Sequence, residues 1–404
     1  MSTQERYEEG VAVGPMAAAQ DDREAVLDLA QRLVRIRSRA GVDDYEPILG
    51  TLEGWLAGAG LAYRRLHGED GAVVGLVCEI RGGRPGPRIV LDACVDTAPF
   101  GDLDAWTHPP TAGVIEDGWL HGRGSADSKT GAAIFLHLAA RVAQVADRLA
   151  GDLVVLLDAD EHTGGFGGAK AYMAGGQAPG RVDGVMIGYP GADHVVVGGR
   201  GVLRLRLDVH GVAAHSGGRA ASPNAISKAA ALIAALDEPL PGADASWFGL
   251  APKLSVTEIH AGEGYSVTPD LAHLHIDVRL TPDFDQAAAV ALLRERVAAV
   301  DGRWPGTAAT DVHTVMAWPP YRLPEDHPLA TALLKAAHDV GLQTAPKVAG
   351  PSNIGNYLAG LGVAATAGFG VEYVGLHATD ERIRIASIVP VQAAYHQAVL
   401  DLLG

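Results

Sequence analysis

RIVLDACVDTAPFGDLDAWTHPP (Arg88–Pro110) and, after a short connection, WLHGRGSADSKTG (Trp119–Gly131) decide how this chain is read. The first piece opens as a mostly apolar run, the pattern of a strand buried on both faces, and breaks into a loop at Asp96. The second resumes as a hairpin and ends on Asp127, at the mouth of a helix. Cys94, Asp96 and Asp127 are thereby delivered to the ends of elements, where α/β proteins keep their reactive groups.

Working outward, GDLVVLLDADE (Gly151–Glu161) and VDGVMIGYP (Val182–Pro190) repeat the solid pattern, one ending in acids and the other at Tyr189. Helical spacing covers Asp21–Arg37, with Asp21 and Asp22 placed to cap it, then Asp43–Gly60, Ser128–Val145 and a helix opening at Lys170–Met173. GGRPGP (Gly82–Pro87) reads as a turn. The fold class expected is α/β, with a mainly parallel sheet. Near Gly199 the character changes. RGVLRLRLDVHG, KLSVTEIHAG and LAHLHIDVRL alternate strictly, and SPNAISKAAALIAAL and DQAAAVALLRERVAAV read as helices. That is a one-sided α+β domain inserted in the first. The divisions expected are a flexible tail at 1–20, a catalytic domain at 21–197 and 313–404, and a lid at 198–312. A Gly-rich loop, AGPSNIGNYLAG (Ala349–Gly360), lies in the returning segment.

At 404 residues two domains are the default. A formal charge of −16 without a Lys/Arg run argues against a nucleic-acid partner. No apolar run approaches the ~20 residues of a membrane span. The opening MSTQERYEEGVAVGPMAAAQ lacks the basic and apolar regions of a signal peptide. Two cysteines, Cys78 and Cys94, imply no disulfide framework, and a cytoplasmic protein is expected.

Asp127, Glu161, His162 and His377 stand at strand or loop ends in the larger domain, with Asp96 beside them. A carboxylate and imidazoles converging at a sheet rim suit a divalent metal. Glu161 and His162 are adjacent, so one can act as a base while the other binds metal.

Five ordered blocks carry a resemblance: LDACVDTAPFGD, GRGSADSKTG, DADEHTGG, GVAAHSG and GLHATDERI. The chain resembles the M20 family of co-catalytic metallopeptidases and amidohydrolases, which includes succinyl-diaminopimelate desuccinylase, aminoacylase and carnosine dipeptidase. The resemblance implies a zinc-peptidase-type catalytic domain with an inserted lid that dimerises. It places Asp127 as the carboxylate bridging two metals, Glu161 as the general base, and His162 and His377 as further ligands. His215 falls on the lid histidine that reaches the neighbouring subunit's site. His162 stands where the ligand is usually Glu, and two ligand positions of one metal site depart further. Cys94 stands where a ligand His belongs, oriented in the family by the residue at Asp96, and Tyr189 stands where an acidic ligand precedes Pro. One metal site thus retains Asp127, His162 and His377, while the other has lost two of its three ligands.

Three explanations compete: one metal on Asp127, His162 and His377 with Cys94 a packed spectator; a metal that also takes a Cys94 thiolate, favouring Zn over Mn; or a non-hydrolytic relative, metal-free or running another acyl chemistry. The expected function is metal-dependent hydrolysis of an amide or peptide bond in a small N-acyl amino acid or dipeptide-like substrate. The expected metal is Zn, with Mn or Co as substitutes, at one ion per chain. Arg279, Ser352 and Asn353 are substrate-binding candidates by the same resemblance, and Tyr189 joins them by its position. A lid salt bridge for Arg279 and a helix cap in the Gly-rich loop are the plain alternatives. Ser266 replaces a family Asn, and His108, His121 and His194 match no family role.

Overall fold

The structure, a computed structural model, describes residues 13–174, 180–219, 221–241 and 247–404. Two compact units partition the chain: Met1–Val197 with Leu323–Lys347 and Gly362–Gly404, and Gly198–Arg322 with Val348–Leu361.

The first unit is built on a six-stranded sheet. Its strand order is Tyr63–His67, Val73–Arg81, Ala150–Asp158, Arg84–Cys94, Gly184–Ile187, Ala365–Thr366. The first two joints are antiparallel and the other three parallel. Helices Pro15–Val34, Thr130–Ala143 and Ile388–Leu403 pack on one another, and the latter two pack on the central strands. Thr130–Ala143 is buried almost all round, as its continuous apolar sequence requires.

Three expectations are corrected here. The tail expected at 1–20 ends earlier, because a helix starts at Pro15, a residue pre-set for the first helical turn, and buries Ala18 and Ala19; residues 1–12 lie outside the described ones. Asp21 and Asp22 do not cap that helix. The Asp22 carboxylate accepts from Arg141 at 2.6 Å and Gln392 at 2.9 Å. GGRPGP is not a free turn, since the strand Arg84–Cys94 begins inside it. A Cβ on Gly86 would sit 2.5 Å from the Ala150 carbonyl carbon, so glycine is what permits the approach.

The second unit is an antiparallel sheet in the order Lys253–Ala261, Leu271–Leu280, Gly201–His210, Asp311–Trp318. Ala272, Leu274, Ile276, Val278 and Leu280 point inward onto helices Ala225–Leu236 and Gln286–Asp301, and the alternate residues face out. The insertion does not end at 312. Asp311–Trp318 pairs with Gly201–His210 and completes the sheet. The whole Gly-rich loop, expected in the catalytic domain, also belongs to this unit and holds a helix, Ile354–Gly360, under an Asn353–Asn356 capping box. Asn356 Nδ2 donates to the carbonyls of Arg200 and Pro319, docking that helix.

In the first unit, two buried basic side chains, Arg123 and Lys129, fix the loop that ends on Asp127. Arg123 donates to Glu381 at 2.6 Å, with side chains 2% and 0% exposed. The other Glu381 oxygen accepts from the Ala126 N–H at 2.9 Å, and a second Arg123 nitrogen donates to the His377 carbonyl at 3.2 Å. Lys129 reaches the Leu33 and Ile36 carbonyls at the end of the first helix. Gly124, at φ 82°, has Thr97 Cγ2 only 2.6 Å from where a Cβ would stand. Replacing Glu381 with Ala leaves Arg123 buried and unpaired, so stability in urea titration should fall by about 3–5 kcal/mol. A loss near 1 kcal/mol, the worth of a surface pair, would show that this pair does not hold the loops.

Candidate metal centre

Cys94 closes its strand and is pinned from two sides. Its N–H donates to Ser128 Oγ at 3.1 Å, and its Sγ lies 3.1 Å from the same oxygen. Sγ also stands 3.4 Å from Asp127 Oδ1. Parallel pairing sets Cys94 opposite Asp158, so the chain leaves the neighbouring strand beside it and runs into Glu161 and His162. His162 places Nε2 3.5 Å from Asp127 Oδ2. Ligand atoms of Cys94, Asp127 and His162 all lie within 4.8 Å of one another. His377, in a left-handed backbone conformation at φ 58°, meets Asp127 Oδ2 through Nε2 at 2.9 Å. Its ring lies 5.2 Å from that of His162.

Asp96 is fully buried and accepts from the backbone N–H groups of Glu161 and His162 at 3.2 and 2.8 Å. Its carboxylate is also 3.4 Å from His162 Nδ1. The acid that orients residue 94 in the family pattern here faces residue 162. Tyr189 donates to Glu161 Oε1 at 2.5 Å, so its hydroxyl is engaged by the acid beside the cluster.

The electrostatics follow from burial and crowding. Burial would raise the Asp127 carboxyl, but the His162 and His377 imidazoles outweigh it and hold that group below the ordinary carboxylate range. Burial opposes a charged His162, yet Asp127, Asp96 and Cys94 overcome it and raise the imidazole. Burial, then Asp127, push Glu161 up to about 7 against the opposing pull of His162 and Tyr189. Cys94 and Tyr189 are raised by burial first, then by Asp127 and by Glu161 respectively. Both stay protonated at neutral pH without a cation nearby.

A divalent cation fits this nest. Although carboxylates stand 3.3–3.5 Å away, neither buried His162 nitrogen has an aligned hydrogen-bond partner. One carboxylate, one imidazole and one thiol converge there. A cation would replace the proton on His162 and relieve the crowding that raises it.

The second unit holds the remaining candidates. His215 lies on the two-residue strand Ala214–His215, paired with Val267, and accepts the Gly217 N–H at Nδ1, 3.0 Å. A neutral ring accepting at Nδ1 carries its proton on Nε2 and presents a donor outward. Arg279 is held by Asp277 at 2.7 Å and donates to Ser352 Oγ at 3.3 Å, so the lid salt bridge is present. Ser352 in turn donates to the Arg200 carbonyl at 2.8 Å. Asn353 caps its helix through Oδ1. Sequence reasoning missed Arg123, Glu381 and Ser128 as positioning residues. All three sit inside the motif blocks GRGSADSKTG and GLHATDERI, so block membership was the available signal.

The profile of peptidase family M20/M25/M40 matches residues 91–401. A succinyl-diaminopimelate desuccinylase of Nitrobacter hamburgensis is 29% identical over 394 residues, covering 93% of this chain and 98% of that protein. One from Methylobacterium nodulans is 33% identical over 294 residues, covering 68% and 71%. Among solved structures, the M20 family metallo-carboxypeptidase Sso-CP2 from Sulfolobus solfataricus superposes with a TM-score of 0.75 at 17% identity, covering 93% of this chain and 98% of that one. The YXEP protein of Bacillus subtilis, a dinuclear metal binding peptidase from the M20 family, gives 0.73 at 15%, covering 95% and 99%. At such identities the structural likeness speaks for the fold, while the profile spans well over half of the sequence. With the ordered motif blocks and a nest that fits a divalent cation, this chain belongs to peptidase family M20/M25/M40 and is an enzyme of its metal-dependent, amide-hydrolysing kind.

Proposed function

We propose that this chain hydrolyses the amide bond of a small N-acyl amino acid or dipeptide-like substrate, using one catalytic Zn²⁺ per chain held by Cys94, Asp127 and His162, with His377 at the rim. The observation that carries the reading is the convergence of those ligand atoms beside a carboxyl, Glu161, pushed up to about 7. The desuccinylases among the relatives point to the substrate class, an acylated amino acid. A thiolate in the donor set favours Zn²⁺ over harder ions. Two buried, unpaired thiols suit a cytoplasmic setting.

When bound, such an ion polarises a carbonyl and brings the pKa of water toward about 7. The chain's own groups do the rest. Glu161, deprotonated, takes a proton from the attacking water and returns it to the leaving amine. Tyr189 holds Glu161 by Oε1, and Oε2, 3.3 Å from His162 Nδ1, is the oxygen that faces the ligand cluster. Asp96 fixes the backbone and ring of His162. His215 serves as the oxyanion donor of a neighbouring subunit in a homodimer built through the lid. Its Nε2-protonated tautomer and the exposed Tyr265 and Val267 beside its strand support that role.

Three outcomes test this reading. Glu161→Gln should abolish turnover while leaving the metal content of the purified protein unchanged; full activity would refute the base assignment. Tyr189→Phe removes a hydrogen bond that stabilises the Glu161 carboxylate, so its pKa rises. A base must be deprotonated to work, so the acid limb of the kcat/KM profile should move to higher pH, and an unmoved limb would exclude the contact from the working state. The cobalt-substituted enzyme should show a thiolate-to-cobalt charge-transfer band that Cys94→Ser lacks. No such band in the parent enzyme would return Cys94 to spectator status, and a protein that binds no metal and cleaves no acyl amino acid would leave the non-hydrolytic reading.

A further inference from the structure

A second group of metal-ligating side chains lies on the first unit, outside the family motif blocks though His121 adjoins one. His108, Glu116 and His121 place one ligand atom each within 4.8 Å of the others. His108 Nε2 and Glu116 Oε2 are already 3.2 Å apart. Neighbouring ligands on a tetrahedral zinc with bonds of about 2.0–2.1 Å are separated by roughly 3.3 Å. The two imidazole rings meet edge to face with centroids 5.0 Å apart.

The backbone that carries these side chains is rigid. Glu116 and His121 sit on a hairpin, Val114–Glu116 and Trp119–His121, closed by Asp117 and Gly118 at φ 49° and 79°. That is the two-residue turn whose twist matches its strands. Glu116 pairs with Trp119 and Val114 with His121, so both ligand residues project from one face. His108 arrives on a loop fixed at each end. Thr107 donates twice to Asp380, through N–H and Oγ1, each at 2.8 Å. Pro109 and Pro110 follow, and the Pro110 carbonyl accepts the Arg123 N–H. Strand His121 then runs directly into the Gly122–Asp127 loop.

An ion pair between His108 and Glu116 explains two of these residues and leaves the third unexplained. His121 stands against His108, where two protonated rings would repel, and Glu116 alone cannot offset both. A shared cation gives both imidazoles a partner while they stay neutral, and Glu116 supplies the negative charge. Asp380 acts on both rings from outside the cluster, and Arg382 offsets part of that at His121. Two imidazoles and a carboxylate are a donor set for borderline ions of the Zn²⁺ class, with further positions left to water.

We propose that His108, Glu116 and His121 bind one zinc-class divalent ion, separate from the Cys94–Asp127–His162 centre, that braces the 107–110 loop against the hairpin leading to Asp127. The proposal does not rest on the substrate or the catalytic metal proposed above. It also means that two zinc ions per chain would not by themselves indicate a dinuclear centre.

The test is zinc binding by the full-length chain, titrated in competition with a chromophoric chelator. With Cys94 and His162 both replaced by Ala to silence the first centre, one equivalent should remain. Adding His121→Ala should remove it, as should His108→Ala, with circular dichroism confirming that each variant is folded. Glu116→Gln, the mildest change, should weaken binding without altering the fold, which keeps the test sound if a His variant misfolds. In an otherwise native chain His121→Ala should lose one equivalent and also the rise in melting temperature that zinc confers through this site. Equal zinc counts with and without His108 and His121, or none in the silenced background, overturn the proposal. Loss of activity in the Cys94 and His162 variants bears only on the hydrolytic reading.

Discussion

The buried pair between Arg123 and Glu381 is the contact on which the candidate site depends. Asp127 and His377 are 250 positions apart, and each sits on a loop that packing alone would leave adjustable. Glu381 takes the backbone N–H of Ala126 with one oxygen and Arg123 with the other, and Arg123 continues to the His377 carbonyl. One ion pair therefore ties both chain segments at the level of their backbones. Trp106 lies under the guanidinium, with its ring centroid 5.2 Å away, and helps keep water out. Buried pairs of this kind are poor investments in stability unless their remaining hydrogen-bonding capacity is filled. Here the Ala126 N–H and the His377 carbonyl, backbone that must be held still, fill part of it, while Arg123 Nε is buried without a hydrogen-bond partner.

How much of this could be read in advance depends on the range of the interaction. Solid strands against alternating strands separated the two units, because a two-sided and a one-sided sheet impose different patterns. The limits of the insertion were not legible. Asp311–Trp318 is assigned by its ladder to Gly201–His210, a pairing across about a hundred residues that no local pattern specifies. The same holds at the site. Motif order identified Cys94, Asp96, Asp127, Glu161, His162 and His377, and the structure gathers all six. Which of them Asp96 would orient, and that Tyr189 would hold Glu161, are side-chain contacts between distant segments. His108 and His121 were set aside for matching no family role, although the hairpin register that brings Glu116 and His121 to one face follows from the Asp-Gly turn.

Charge balance links the departures to one another. A carboxylate ligand and an imidazole are replaced at the second family position by a phenol and a thiol, both of which burial keeps protonated. The carboxyls nearest the nest are then Asp127, Asp96 and Glu161, and the raised His162 imidazole offsets part of their charge. Farther back, Asp92 is fully buried with neither carboxyl oxygen hydrogen-bonded, and burial followed by Asp158 and Glu161 pushes it well above the carboxylate range. Asp158 is likewise pushed up to about 7 by burial and Asp96, despite three backbone N–H donors. The region answers excess negative charge by holding protons rather than by gathering further cationic side chains. One divalent ion that displaces the protons of Cys94 and His162 would add two positive charges and remove two, leaving that balance intact. A second ion would find a protonated phenol where its carboxylate should be, and a thiol already engaged with its neighbour. The same two substitutions that break the family pattern thus place a phenol against Glu161, where it donates to a carboxyl that burial and then Asp127 push up to about 7.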